Sequence, residues 1–190
     1  MPGNIEVRIN GQQLGRVTDY RYLGITYDFN LKWDIHVSNI IRKTKYFVYV
    51  FYRLKLVLSK KQLMQIYYGL FNSIAIYAII GWGGLYDAAL DPLQQLQDKI
   101  IKIIGVNDQE KPLEIRQIFV LNCIVYVYEK LKSTFLNNTK NTRFKSISLP
   151  KLNLTIGQRY YDYYAKKYFN ELPNELKTLN VSDKLLKKKA

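Results

Sequence analysis

Tyr20-Arg21-Tyr22-Leu23-Gly24-Ile25-Thr26-Tyr27-Asp28, followed closely by Leu31-Lys32-Trp33-Asp34-Ile35-His36, marks the place where the period of the chain changes. The first run is rich in β-forming residues and contains one glycine. From Trp33 onward the spacing of apolar residues becomes helical. Upstream, Ile5, Val7 and Ile9 alternate with Glu6 and Arg8, which is strand periodicity. Asn10-Gly11 is a hairpin turn signal, because both residues tolerate positive φ. A second strand is expected around Leu14 to Val17 and a third around Tyr22 to Tyr27, completing a small antiparallel unit. Three short strands bury little by themselves, so this unit is expected to lean on another element.

Beyond the switch, Trp33, Val37, Ile40, Ile41, Thr44, Phe47, Val48, Phe51 and Leu54 share one face of a helix. Ser59-Lys60-Lys61-Gln62 has the spacing of a capping box and starts a second helix, through Leu63, Ile66, Tyr67, Leu70, Ile74, Tyr77 and Ala78. The first helix is expected to pack its Val37, Ile40, Phe47 and Phe51 face on this second one. Asp91-Pro92 predicts the start of a third helix, which runs to Ile104 and stops at Gly105. Pro112 opens a fourth, through Ile115, Ile118 and Phe119 to about Phe135. Residues 137–148 read as a basic linker, Gln158 to Leu172 as a last helix broken at Pro173, and Lys184 to Lys189 as a charged tail. The pattern predicts a mainly α fold in three parts. These are a β-hairpin unit at 1–29, a helical bundle at 30–136, and a basic linker, helix and tail at 137–190.

The formal net charge of +14 is unevenly placed. Residues 1–29 are neutral, 30–61 carry eight basic and one acidic side chain, 62–129 are mildly acidic, and 130–190 carry fourteen basic against four acidic. Two basic segments flanking an apolar middle favour a polyanionic partner, either nucleic acid or an anionic membrane surface. The single cysteine, Cys123, forms no internal disulfide, and the first twenty residues lack the apolar core of a signal peptide. An intracellular setting, nuclear or cytoplasmic, is the simplest expectation.

Residues able to carry chemistry are few. Two-metal catalysis needs close carboxylates, and no Asp-Asp pair occurs. Asp28 with Asp34, and Asp108 with Glu110, fall at turn and loop positions and read as solvated or capping residues. His36, the only histidine, reads as an exposed or helix-start residue. Gly81-Trp82-Gly83-Gly84 lacks the lysine of a phosphate-binding loop and reads as a helix stop. Binding is better represented. Arg42, Lys45, Tyr46, Tyr49 and Arg53 form a stripe opposite the apolar face of the first helix. It reads either as cations for phosphates with tyrosines laid on sugars, or as a solvated charged face. Gly24 reads as a bulge or a site of close backbone approach. In the last helix, Arg159 to Phe169 interleaves basic and aromatic residues. That pattern suits stacked single-stranded bases, and equally a helix that packs its tyrosines on the bundle.

Several of these runs, in this order, resemble the C-terminal part of the reverse transcriptase of LINE-type, jockey-like non-LTR retrotransposons. Tyr22-Leu23-Gly24-Ile25 with Asp28 is similar to a family hairpin of the form Y-L-G-[IV]-x-x-D. Leu31, Trp33 and His36 match L-x-W-x-x-H. Ile66-Tyr67-Tyr68, Ile76-Tyr77-Ala78 and Gly81-Trp82-Gly83 follow a further run, and Leu93 to Lys99 resembles L-x-x-x-Q-[ND]-[KR]. Asn170-Glu171-Leu172-Pro173 is similar to N-x-L-P, and Leu185-Leu186-Lys187 stands where a terminal F-K-x-x-L is usual. The Tyr-x-Asp-Asp motif, the fingers and an endonuclease are not present in these residues.

The resemblance implies a fragment of an RNA-directed DNA polymerase: a primer-grip hairpin and a thumb that binds the template–primer duplex. Tyr22, Leu23 and Gly24 would approach the primer backbone, and the stripe would follow the duplex. The catalytic Mg would sit in a palm preceding residue 1, so no cofactor is expected in this chain, and the missing palm and fingers would be its partners. Two other readings stand beside this one. One is a membrane protein spanning with the uncharged run near 63–86. The other is a co-opted structural or interaction domain.

Overall fold

The computed structural model describes residues 7–136, 147–158, 160–173 and 176–177. It is mainly helical, with two short antiparallel hairpins ahead of the helices. Strands β1 (Arg8–Ile9) and β2 (Gln12–Gln13) pair around Asn10 and Gly11, at φ 51° and 78°. Strands β3 (Asp19–Tyr22) and β4 (Ile25–Asp28) pair with Arg21 opposite Thr26 and Tyr22 opposite Ile25. Leu23 and Gly24 form their two-residue turn, at φ 47° and 82°. The β region is therefore two separate ribbons and not one three-stranded unit. Leu14 to Val17 forms no strand, and Tyr22 to Tyr27 folds back on itself. A two-residue turn with both residues at positive φ usually announces itself with Asn or Asp before the glycine. Leucine in that place hides the turn inside an otherwise continuous β pattern.

The connection into the helices hangs on one carboxylate. Asp28 accepts the backbone N–H groups of Asn30, Lys32 and Trp33 at 3.1, 3.0 and 2.6 Å. Partial burial pushes its pKa up, but these amides outweigh that and hold the carboxyl below its ordinary value. The knot permits positive φ at Leu31 and Trp33, and helix α1 (Asp34–Leu54) starts directly behind it. Val37, Ile40, Thr44 and Phe51 are buried along its inner face, and the Thr44 hydroxyl donates to the Ile40 carbonyl at 2.9 Å.

Ser59 caps α2 (Lys60–Ile66) by the reciprocal bonds of a capping box with Gln62. The helix then widens into a π-helical turn over Tyr67–Asn72 and narrows to α3 (Ser73–Ala75). The expected continuation through Tyr77 and Ala78 does not form. Ala78 sits at φ 52°, and a new short helix, α4 (Ile79–Trp82), leaves at an angle set by that residue. The uncharged run at 62–86 is thus divided among several pieces. Among the described residues no helix is long and apolar enough to cross a membrane.

Helix α5 (Asp87–Ile104) begins one turn earlier than Asp91 and carries Pro92 inside it, at the cost of one N–H bond near the N-terminus. Gly105 ends it at φ 77°, as a helix-stop glycine should. The buried stripe of Leu90, Leu93, Gln97, Ile100, Ile101 and Ile104 makes α5 the principal partner of α1, which touches the 63–78 region mainly at α3. An unbroken apolar stripe offers a longer seam than a helix interrupted by a π turn. Gln97 is the polar member of this stripe. Its amide donates to the Tyr67 hydroxyl at 2.9 Å and to the Leu113 carbonyl at 2.8 Å.

Helix α6 (Ile115–Leu136) starts after a 3₁₀ turn at Asp108–Glu110, three residues beyond Pro112. Its Arg116 reaches back to the Gly83 carbonyl at 3.0 Å, to the Leu85 carbonyl, and to Asp87 at 2.6 Å, tying the α4–α5 connection to α6. The last helix is split in two, α7 (Thr155–Gln158) and α8 (Tyr161–Glu171). Helix α8 lies on α6, with Ala165 and Phe169 buried. Tyr161 meets Tyr126 edge-on at 5.0 Å, and Tyr164 meets Phe119 at 5.5 Å. The tyrosines of α8 are therefore packing residues. Most of the basic linker and the whole lysine tail lie outside the described residues.

His36, the third residue of α1, is buried, not exposed. Its Nδ1 accepts the Thr26 N–H at 3.3 Å, and its ring lies edge-on to Trp33 at 6.2 Å and Trp82 at 5.6 Å. One side chain thus joins β4, α1 and α4. A nitrogen that accepts from an amide must be unprotonated, so the imidazole is neutral with its proton on Nε2. Burial, and then the nearby Lys43 ammonium, hold its pKa below the ordinary 6.5.

Gly83 lies where α4 crosses α6. A Cβ there would stand 2.6 Å from Phe119 Cδ2 and 2.7 Å from the Ile79 carbonyl oxygen. Gly83→Ala should lower the unfolding free energy by about 1–3 kcal/mol, because neither neighbour can give way freely. An unchanged denaturant midpoint would show that Phe119 can move aside. A second expectation concerns pH. A histidine whose folded pKa is depressed binds fewer protons folded than unfolded, so stability should fall as pH drops below about 6.5. His36→Asn keeps an acceptor toward Thr26 and cannot charge, and should remove that dependence. Parallel denaturation curves for the two proteins from pH 8 to 5 would refute it.

Candidate nucleic-acid interface

Helix α1 turns two chemically different faces outward and inward. Arg42, Lys45, Tyr46, Tyr49 and Arg53 are all exposed, opposite the buried Val37, Ile40, Thr44 and Phe51. Tyr46 and Tyr49 are 63% and 58% exposed, with ring centroids 6.0 Å apart, so they cover each other and not the core. Tyr52, also exposed, lies two turns beyond Lys45 at nearly the same angle and widens the surface. From Arg42 to Arg53 the stripe is about 16 Å long at 1.5 Å per residue.

At its N-terminal end the stripe meets the second hairpin. Arg42 donates to the Asn39 side-chain oxygen at 3.0 Å, and the Asn39 amide donates to the Thr26 hydroxyl of β4 at 3.3 Å. This chain holds the guanidinium toward the hairpin. Arg21 stands opposite Thr26 in the β3–β4 register, so both lie on one face of the ribbon. Lys43, about 100° further around the helix, flanks the other side of the same space. The result is a cavity of about 280 Å³ whose walls are the hairpin, α1, and the α3 region with Ser73, Ile74 and Tyr77. Among the described residues, three cationic side chains line it and no carboxylate does.

The structure places Tyr22, Leu23 and Gly24 at the tip of this hairpin. Tyr22 and Leu23 are 57% and 70% exposed. The Tyr77 hydroxyl donates to the Leu23 carbonyl at 3.0 Å and pins the tip to the helical body. Gly24 is a turn residue and not a bulge, and nothing among the described residues crowds it. A Cβ would meet Tyr77 only at 3.6 Å, an ordinary contact, and the positive φ alone asks for glycine. Leucine at φ 47° beside it is a costly choice, of about 1 kcal/mol, in an exposed place. Strain of this kind collects where a side chain is needed for contact.

Helical periodicity gathers the stripe but not Arg21, Asn39 and Lys43. The signal for Arg21 lies in the turn: once Leu23 and Gly24 are read as a two-residue loop, Arg21 and Thr26 become cross-strand partners. Among the described residues no group of three or more His, Cys, Asp or Glu side chains could hold a metal ion. Burial pushes the Cys123 thiol up to about 12, so it stays protonated and inert. Compared with protein-family models, curated proteins and solved structures, the chain finds no match.

Proposed function

We propose that this chain is a template–primer-binding thumb region of a LINE-type retrotransposon reverse transcriptase, and that α1 holds duplex nucleic acid by its backbone. The observation that carries the reading is the division of α1. Arg42, Lys45, Arg53, Tyr46 and Tyr49 stand in solvent on one face, while the opposite face is sealed into the core. Cations spaced along a rigid helix suit a regular row of phosphates, and they carry no base information. The hairpin at the end of the stripe supports the same reading, since a primer-grip hairpin belongs beside a thumb helix. The carboxylates for two-metal chemistry, and the Mg they hold, would belong to a palm.

The hairpins fit that assignment in another way. Val7, Ile9, Val17, Tyr20 and Phe29 are each more than half exposed. Apolar side chains gathered on thin ribbons suit a surface covered by another protein unit. A palm is that unit in this reading. A protein partner in the same place would favour the co-opted interaction domain.

Binding should be weak, without base preference, and steeply salt-dependent. Every cation withdrawn from a phosphate should reduce the slope of log affinity against log salt by about 0.9. Changing Arg42, Lys45 and Arg53 together to Ala should therefore flatten the slope by up to about 2–3 units, with the fold intact. Phe51→Ala, on the sealed face, should instead cost roughly 3–5 kcal/mol of stability. Fluorescence anisotropy of a labelled duplex across a salt series makes the measurement. A triple variant that binds as tightly, with the same slope, would leave the stripe an ordinary solvated surface.

A further inference from the structure

The cavity between the second hairpin and α1 asks for a ligand of its own. Arg21, Arg42 and Lys43 line it from two elements, and among the described residues no carboxylate shares its walls. Neither Arg21 nor Lys43 has an ion-pair partner among the described residues. Three cations facing one small space repel each other, and an anion bound among them would relieve that repulsion. Arg42 is already oriented by Asn39, so little side-chain freedom remains to be lost when it binds. The cavity, at about 280 Å³, has room for a phosphate group with its sugar and none for a base pair.

The charge balance distinguishes between kinds of phosphate. A backbone diester carries one negative charge, whereas a phosphomonoester carries about −1.5 to −2 at pH 7. Three cations with no acid among them match the second better. The position agrees, because the cavity lies where the stripe ends against the hairpin tip. The cavity therefore adjoins the surface along which a strand would lie. We propose that this pocket binds a phosphomonoester dianion, in the form of the phosphorylated end of a nucleic-acid strand. The proposal rests on the nucleic-acid reading of α1 for the source of the phosphate, and on the pocket itself for the chemistry.

The test uses blunt duplexes of one sequence ending in 5′-phosphate, 3′-phosphate or hydroxyl only, with the full chain. One phosphorylated end should bind about tenfold tighter than the hydroxyl end, the yield of one good charge-assisted contact. Arg21→Gln with Lys43→Gln should erase that preference while the salt slope on hydroxyl-ended duplex persists, since neither residue belongs to the stripe. Both side chains are exposed, and circular dichroism checks that the fold survives. If the double variant fails to fold, Arg21→Gln and Lys43→Gln are measured singly. Equal affinity for all three ends overturns the proposal. If no duplex binds, the thumb reading fails, and inorganic phosphate decides the pocket. A rise in melting midpoint over chloride at equal ionic strength, lost in the variants, supports the phosphate site without nucleic acid. No rise sinks it.

Discussion

The amide of Thr26 donating to His36 Nδ1 is the bond on which the geometry of the basic face depends. A two-stranded ribbon buries too little to hold itself in place. The β3–β4 ribbon is no exception, with every residue of β3 exposed. Beside the Asp28 knot, the His36 ring between Trp33 and Trp82, the Asn39 amide on Thr26 and the Tyr77 hydroxyl on Leu23 hold it. His36 and Asn39 belong to the same helix that carries the stripe, so the ribbon is tied directly to α1, with Arg21 lining the same cavity as Arg42 and Lys43.

Concentrating eight cations against one anion in residues 30–61 is destabilising by itself, since like charges on a helix repel. The chain answers this with depth and not with pairing. The inner face of α1 is sealed on α5 by Val37, Ile40 and Phe51, at 4%, 5% and 0% exposure. Of the cations in that segment, Lys60 pairs with Glu110, at the far end from the pocket. A surface whose charges were meant only for solubility would gain from interspersed acids. Leaving the stripe without them keeps the field outward, toward a polyanion.

Much of the helical frame was legible because its signals are local. The capping box at Ser59 and Gln62, the stop at Gly105 and the amphipathic face of α1 each depend on residues within a turn or two. The stripe was legible for the same reason, since a 100° periodicity needs no partner. What escaped depends on distant partners or on a disguised turn. The burial of His36 is decided by Thr26 and Trp82, ten and forty-six residues away. The turn at Leu23-Gly24 lacks the usual Asn, and missing it put Arg21 on no particular face. The π turn over Tyr67–Asn72 has no sequence mark, yet it ends the second helix early and hands the α1 seam to α5.

The tyrosines show how the same composition serves two ends. In α8, Tyr161, Tyr164 and Tyr168 lie partly buried against α6, and their neighbour Lys166 is taken up by Asp162 at 2.5 Å. In α1, Tyr46, Tyr49 and Tyr52 face solvent beside cations that have no acid of their own on the helix face. Interleaved basic and aromatic residues are thus an ambiguous sign until the opposite face is known. On α8 the rings are what cover the bundle, so they are spent on stability. On α1 the core is already closed by Phe51 and its neighbours, and the rings are left over. An exposed tyrosine that covers no core keeps its flat face and hydroxyl available, and beside Arg42 and Arg53 those are the groups that a sugar–phosphate backbone can use.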